Sequence, residues 1–188
     1  PRLLYTRPMT RVYLLAAGRG RRAGGPKAWL ESEGRPLLQR QLDFLRSRFP
    51  SDSLAVSIQD AWLERCRALD AAVRWTAVDP DASPLASLQA LLKEAPAQGP
   101  TFLLHVDMPV WDSAVWSALE AASLQDAAVP TQGGRRGHPV LLSHESLKLI
   151  AGLDASQDRL DVWLRGRRVI EVPVAADCVL ANWNEVPA

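Results

Sequence analysis

Residues 15–27 of this chain read Leu15-Ala16-Ala17-Gly18-Arg19-Gly20-Arg21-Arg22-Ala23-Gly24-Gly25-Pro26-Lys27, and an apolar run, residues 12–15, leads into them. The segment holds four glycines, three arginines and one lysine. Glycine lacks a Cβ atom, so the backbone can turn tightly and bring its N–H groups close to an anion. Arginine and lysine side chains donate hydrogen bonds to phosphate oxygens. The segment therefore predicts a strand followed by a loop that wraps a polyphosphate.

Other interpretations of this segment compete with that prediction. Gly18, Gly20 and Ala23 have the spacing of a dinucleotide-binding loop, but such a site needs an acidic residue about 20 positions further on. Residues 37–40 read Leu-Leu-Gln-Arg and supply none. A Walker loop needs Gly-Lys-Ser/Thr, whereas residues 25–28 read Gly-Pro-Lys-Ala. The last alternative, a solvated basic turn without a ligand, does not account for so many glycines beside four cations.

The composition of the chain restricts the kinds of protein it can be. It has 188 residues, of which 47% are hydrophobic and 23% charged, as is typical of a globular protein. We expect one domain over residues 1–188, with residues 1–10 a loose lead-in. A net charge of +1 argues against a nucleic-acid binder and, with cations concentrated near one loop, favours a small anionic ligand. Apolar runs are strand-sized and no signal peptide is recognised, so we expect no membrane contact and a cytoplasmic location.

Short aliphatic runs alternate with amphipathic helical patterns along the chain. The predicted strands are residues 12–16, 54–58, 73–78, 101–106, 127–131, 140–143 and 169–174. The predicted helices are residues 36–48, 61–69, 84–95, 113–124, 145–153 and 157–164. The alternation of strand and helix predicts an α/β protein with a three-layer αβα, Rossmann-like fold and a mostly parallel central sheet.

Polar residues follow several of the predicted strands. The glycine-rich loop, Gln59, Asp79 and Asp107 each come directly after a strand. Ligands of parallel sheets bind beyond the carboxyl ends of the strands, so we expect these residues along one edge. A carboxylate such as Asp107 at that edge suits Mg²⁺, which prefers oxygen ligands and bridges to phosphates. The alternative role for Asp107 is a helix cap, for which Asp112 is better placed.

Several segments together carry a resemblance to a known family. They are the loop 15–27, Asp79 with Ser83-Pro84-Leu85-Ala86-Ser87, His105-Val106-Asp107-Met108-Pro109, Gly137-His138-Pro139-Val140 and Asn182-Trp183-Asn184. With these segments the chain resembles the MobA-like NTP transferases, which attach a nucleotide to the molybdenum cofactor. The segment at Asp79 and the closing Asn-x-Asn resemble the guanylyltransferase branch, whereas the His-Pro segment resembles the cytidylyltransferase branch.

The resemblance implies roles for particular residues. In the nucleotide site, Leu15, Ala16 and Ala17 would line the base and sugar, Lys27 would bind the phosphates, and Gln59 and Asp79 would contact the nucleotide. Asp107 would contact the nucleotide and hold Mg²⁺. The acceptor side would be formed by His138, Asn182 and Asn184.

The chemistry of nucleotidyl transfer also fits these residues. An acceptor phosphate is already a competent nucleophile, so catalysis consists of positioning and of neutralising charge. Arg22, Lys27, the N–H groups of the loop at Gly18 and Gly20, and Mg²⁺ on Asp107 would supply both. His105 lies inside an apolar strand and is interpreted as a core residue.

These observations predict a Mg²⁺-dependent nucleotidyltransferase that transfers NMP from an NTP, with GTP favoured, to molybdopterin and releases pyrophosphate. The alternatives are an enzyme of the same fold that uses CTP or a sugar-phosphate acceptor, and a non-catalytic nucleotide-binding regulatory domain. An NAD-linked oxidoreductase would bind NAD(H). Transient contacts with proteins that deliver or receive the cofactor are expected for the leading hypothesis.

Overall fold

The computed structural model describes residues 10–183, apart from the side chain of Arg22. Nearly all of the predicted lead-in, and Asn184 from the predicted acceptor side, therefore lie outside the described residues. No helix in the described part of the chain is long and apolar enough to cross a membrane.

Strands and helices alternate along the described chain, as predicted. The strands are β1 (Arg11–Leu15), β2 (Glu31–Ser32), β3 (Arg35–Pro36), β4 (Leu54–Ile58), β5 (Arg74–Ala77), β6 (Thr101–His105), β7 (Ala127–Gln132), β8 (Arg135–Arg136), β9 (Val140–Leu142) and β10 (Val169–Pro173). The helices are α1 (Leu37–Arg46), α2 (Leu63–Leu69), α3 (Pro84–Glu94), α4 (Ser113–Ala121), α5 (His144–Ala151) and α6 (Leu160–Arg165).

The strands form one large sheet in the order β10-β7-β9-β6-β1-β4-β5, with β8 beside β7, and a separate β2-β3 hairpin. β1 pairs in parallel with both β4 and β6, and β4 pairs in parallel with β5. β9 runs antiparallel to its neighbours β6 and β7. The mostly parallel sheet with helices on both faces confirms the predicted αβα fold.

Both faces of the sheet are covered by helices. Alternate residues of β1 point to opposite faces, so Leu14 and Tyr13 belong to different buried clusters. On one face α1, α2 and α4 contribute to a single buried cluster that includes the fully buried Trp116. On the other face α3 and α5 supply buried leucine and isoleucine side chains, and α6 adds the partly buried Leu160 and Leu164.

Several short elements differ from the sequence prediction. The β2-β3 and β7-β8 hairpins were not predicted, although each has a two-residue turn with positive φ at both positions: Glu33 and Gly34 in one, Gly133 and Gly134 in the other. Such turns match the twist of paired strands. Helix α6 begins at Leu160 rather than at residue 157. The preceding residues form a turn in which Asp158 accepts a hydrogen bond from the backbone N–H of Asp154 at 2.9 Å.

We expect Trp116→Ala to lower the free energy of unfolding by about 3–5 kcal/mol, because it leaves a cavity in the core. The Trp116 ring lies 4.7 Å from that of Phe102, centroid to centroid, and its Nε1 donates to the carbonyl of Val110 at 2.9 Å. Leu149→Ala, at a position that is 54% exposed, is the control and should cost less than about 0.5 kcal/mol. Urea unfolding curves measure both, and equal losses would contradict the packing described here.

Candidate active site

The loop after β1 folds back on itself at Gly20. The carbonyl of Gly20 accepts hydrogen bonds from the N–H groups of Ala23 at 2.8 Å and Gly25 at 3.3 Å. Gly20 has φ +61°, and a Cβ atom there would lie 1.8 Å from the carbonyl oxygen of Gly25. Only glycine satisfies both the left-handed backbone and this close approach. The loop geometry therefore depends on this position.

Lys27, at the end of the loop, meets Asp107 beyond the end of β6. Nζ of Lys27 lies 2.5 Å from Oδ2 of Asp107. The two side chains are 20% and 13% exposed, so water screens their attraction less than at an open surface. The sequence predicted that Lys27 binds phosphate and that Asp107 holds a metal ion. The structure places the two side chains in direct contact at one point of the sheet edge.

A cavity of about 170 Å³ opens at this ion pair, and we call it the nucleotide cavity. Its walls contain most of the residues predicted to bind nucleotide and also the beginning of α3. The lining residues are Leu15, Ala16, Ala17, Gly18, Gly20, Lys27, Ala82, Pro84, Ser87, His105, Val106 and Asp107.

Gln59 and Asp79 lie beside the nucleotide cavity rather than in its wall. Nε2 of Gln59 donates to the carbonyl of Gly18 at 3.3 Å, so Gln59 supports the loop from outside. The carboxylate of Asp79 accepts from the backbone N–H of Asp81 at 2.8 Å. Gln59 follows β4 and Asp79 follows β5, at the same edge of the sheet as the loop.

Asp81 was not predicted as a site residue, and it links the loop to the segment after β5. Its carboxylate pairs with Arg19 at 2.6 Å and with Arg21 at 3.1 Å. These hydrogen bonds lower the pKa of Asp81, mainly through Arg19. An acidic residue close to Asp79 was visible in the sequence, but no motif pairs it with arginines some 60 positions away.

His138 lies in a second, adjoining cavity of about 430 Å³, which we call the side cavity. His105 lines both cavities, so its interpretation as a plain core residue missed this position at the end of β6. Burial lowers the pKa of the His105 imidazole. Burial also lowers the pKa of His138 to about 4, and the neighbouring His105 adds a smaller effect in the same direction. Both imidazoles are therefore neutral near pH 7.

The segment that carries Asn182 runs past Asp107. The backbone N–H of Trp183 donates to the carbonyl of Asp107 at 2.8 Å. The ring of Trp183 packs edge to face on the ring of Trp111. Asn182 itself is exposed and is not part of the wall of either cavity. The structure thus brings this segment to the site, but does not bring the Asn182 side chain together with His138.

The residues present fit one kind of divalent cation site. Asp112 caps α4 by accepting from the N–H of Ala114 at 2.8 Å, so Asp107 is not needed as a cap. Within residues 10–183 no group of three or more His, Cys, Asp or Glu side chains is arranged to hold a metal ion. Mg²⁺ is commonly held by one or two carboxylates, with phosphate oxygens and waters as its remaining ligands. Asp107 at the nucleotide cavity suits that mode and not an all-protein metal cage.

Comparison with known proteins identifies the family. The model of the MobA-like NTP transferase domain matches residues 12–172, so the chain belongs to the MobA-like NTP transferase family, a family of nucleotidyltransferases. The predicted resemblance is confirmed. No match among curated proteins was found.

Solved structures share the fold over nearly the whole chain. Rv0371c from Mycobacterium tuberculosis H37Rv has a TM-score of 0.75 and 26% identity, covering 95% of each chain. Its complex with manganese has a TM-score of 0.69 at 24% identity, again over 95% of each chain. Molybdopterin-guanine dinucleotide biosynthesis protein A from Archaeoglobus fulgidus has a TM-score of 0.61 and 18% identity, covering 88% of this chain and 84% of that one.

We expect Gly20→Ala to abolish nucleotide binding, because its methyl group would displace the loop backbone at Gly25. Gly24→Ala is a matched control: Gly24 also has positive φ, +75°, but no atom lies within 4 Å of a Cβ there. Both variants bear the left-handed penalty of roughly 1–2 kcal/mol, and only Gly20→Ala adds the clash. The readout is the rise in melting temperature with GTP and Mg²⁺. A rise in Gly20→Ala as large as in Gly24→Ala would contradict the role of the close approach.

Proposed function

We propose that this protein is a Mg²⁺-dependent nucleotidyltransferase that transfers GMP from GTP to a molybdopterin-type phosphate, with release of pyrophosphate. One observation carries the proposal: Lys27 and Asp107 form an ion pair at the wall of a cavity that the glycine-rich loop lines. A cation for phosphate and a carboxylate for a metal ion are the groups that such a transfer requires. Membership of the MobA-like family supports the reaction class.

The reaction needs no protein nucleophile. An oxygen of the acceptor phosphate attacks the α-phosphorus of the nucleotide, and the bond from the α-phosphorus to the bridging oxygen breaks. That oxygen leaves with the electron pair as part of pyrophosphate. Because the attacking phosphate is already anionic, no general base has to remove a proton. The protein's work is to align the two phosphates and to offset their negative charge.

Lys27 and the loop backbone perform most of that work. Before nucleotide binds, Asp107 holds the Lys27 ammonium at the cavity wall. Phosphate oxygens then replace the carboxylate as the partner of Lys27, and loop N–H groups near Gly18 and Gly20 approach the same oxygens. Arg22 is proposed to add a further cation. Asp107 would hold Mg²⁺, which when bound supplies Lewis-acid neutralisation of phosphate charge.

The choice of base is also part of the proposal. Asp79 and the segment Pro84-Leu85-Ala86 support GTP, because they resemble the guanylyl branch and because Pro84 lines the nucleotide cavity. CTP is the alternative, supported by the His-Pro pair at His138 in the side cavity. The manganese complex of Rv0371c supports a divalent cation. A cytoplasmic location and transient contact with proteins that deliver or receive the cofactor belong to the same proposal.

Asp107→Asn should lower the rate of Mg²⁺-dependent pyrophosphate release by at least about 100-fold, because a neutral amide is a poor ligand for Mg²⁺. The assay contains GTP, MgCl₂ and molybdopterin. Asp52→Asn is the control, since this exposed carboxylate precedes β4 at the opposite edge of the sheet. Retained activity in Asp107→Asn would remove the metal role from this residue.

Thermal-shift measurements with ATP, CTP, GTP and UTP test the base. At about 100 times its dissociation constant a ligand adds about 2.7 kcal/mol of stability, which raises the melting temperature of a chain this size by about 5–10 °C. We expect GTP with Mg²⁺ to give the largest rise and omission of Mg²⁺ to reduce it. A larger rise with CTP would favour the cytidylyl alternative. No rise with any of the four would overturn the proposed function.

A further inference from the structure

Helix α1 carries a polar side chain on its buried face. The face consists of Leu37, Leu38, Leu42 and Leu45 together with Gln41, which is fully buried. The helical spacing of the four leucines would place another apolar residue at position 41. A buried amide costs free energy unless its polar atoms are hydrogen-bonded. The role of Gln41 therefore follows from its hydrogen-bond partners.

Both polar atoms of the Gln41 amide have partners, and these lie around Asp107. Nε2 of Gln41 donates to the carbonyls of Val106 and Met108, at 3.0 Å in each case. Oε1 of Gln41 accepts from Nε1 of Trp111 at 2.9 Å. Because a carbonyl only accepts and an indole N–H only donates, these partners determine which way the amide points. Gln41 thus holds the backbone immediately before and immediately after Asp107.

The backbone at Asp107 has left the central sheet. Strand β6 ends at His105, and the chain then turns. The carbonyl of Asp107 accepts from the backbone N–H of Trp183 at 2.8 Å. Three consecutive carbonyls, those of residues 106, 107 and 108, therefore accept hydrogen bonds from distant segments. The place of the Asp107 carboxylate beside Lys27 depends on the backbone that these hydrogen bonds hold.

We propose that Gln41 is a positioning residue, which holds the turn at residues 106–108 so that the Asp107 carboxylate stays at the wall of the nucleotide cavity. The proposal rests on the proposed function, in which Asp107 holds Mg²⁺. Gln41 is buried and does not line the nucleotide cavity, so it acts through Asp107 rather than by contact with substrate. Groups that orient a metal ligand from behind contribute to metal affinity.

The test compares two glutamines that make the same kind of hydrogen bonds. Gln41→Met keeps an unbranched side chain of similar length and removes the hydrogen bonds. Gln89→Met is the matched control, because Nε2 of Gln89 also donates to two carbonyls, those of Ile150 at 3.0 Å and Leu153 at 2.8 Å. Both carbonyls lie on the face of the sheet opposite to α1. Each variant loses two carbonyl partners, but only Gln41→Met loses them beside Asp107.

Hydrogen exchange, measured by NMR on the full chain without ligand, is the first readout. The backbone N–H groups of Met108 and Val110 report on the turn, because they donate to the carbonyls of His105 at 3.1 Å and Met108 at 2.9 Å. In Gln41→Met their exchange should be faster by about tenfold or more relative to the amides of β4, because two buried carbonyls lose their partners. In Gln89→Met this ratio should match the wild type. An unchanged ratio in Gln41→Met would overturn the proposal.

The second readout is the Mg²⁺ dependence of pyrophosphate release from GTP and molybdopterin. The Mg²⁺ concentration at half-maximal rate should rise by about tenfold or more in Gln41→Met and stay unchanged in Gln89→Met. Gln41→Met should lower the rate no further in the Asp107→Asn variant, since Gln41 acts through Asp107. An unchanged Mg²⁺ requirement, or an equal loss of rate with and without Asp107→Asn, would overturn the proposal.

Two further outcomes are distinguishable. If the wild type shows no turnover, the proposed function fails, and the exchange measurement, which uses no nucleotide, decides whether Gln41 holds the turn. If circular dichroism shows that Gln41→Met does not fold, Trp111→Phe replaces it in both measurements. Trp111→Phe keeps a ring against Trp183 and removes the N–H that orients the Gln41 amide. Its effects should have the same direction, and wild-type values in both measurements would overturn the proposal.

Discussion

The position of β1 between β4 and β6 is the constraint on which the rest of the structure depends. Leu15 lies opposite Ser57 on one side and opposite His105 on the other, in parallel register. The hydrogen-bond ladder continues past the strand, because the N–H of Ala16 donates to Ser57 and the N–H of Val106 donates to Leu15. These hydrogen bonds hold Ala16, where the glycine-rich loop begins, and Val106, the residue before Asp107, side by side at the same edge of the sheet.

Charge then determines how the loop is held. Its cations meet carboxylates from other segments: Lys27 pairs with Asp107, while Arg19 and Arg21 pair with Asp81. The arginine pairs are exposed, so water and salt screen them and their energy is small. The lysine pair is shielded and interacts more strongly. Because the protein's own anions occupy these cations, the loop has a defined shape without a ligand. Under the proposed function, this preformed shape lowers the entropic cost of binding phosphate.

Sequence reasoning reached the parallel sheet and most of the nucleotide cavity, because both follow from local patterns. Apolar runs alternate with helical periodicity, and the glycine-rich loop and Asp107 each follow such a run. The hairpin turn at Gly133 and Gly134 was visible as a Gly-Gly pair, but the two-residue strand after it carries no pattern of its own. The Asp81 bridge and the side cavity could not be predicted, because both depend on contacts between segments far apart in the chain.

The side cavity lies apart from Gln59 and Asp79, which are proposed to contact the nucleotide. Gln59 and Asp79 follow β4 and β5, on one side of β1, and the side cavity lies on the other side, over β6 and β9. Only the region of Pro84 and His105, where the phosphates would meet, belongs to both cavities. Gln59 and Asp79 therefore do not line the side cavity. Substitutions in α6 can reshape the side cavity while the loop, Lys27 and Asp107 keep their geometry, as one expects of a fold that hosts different functions.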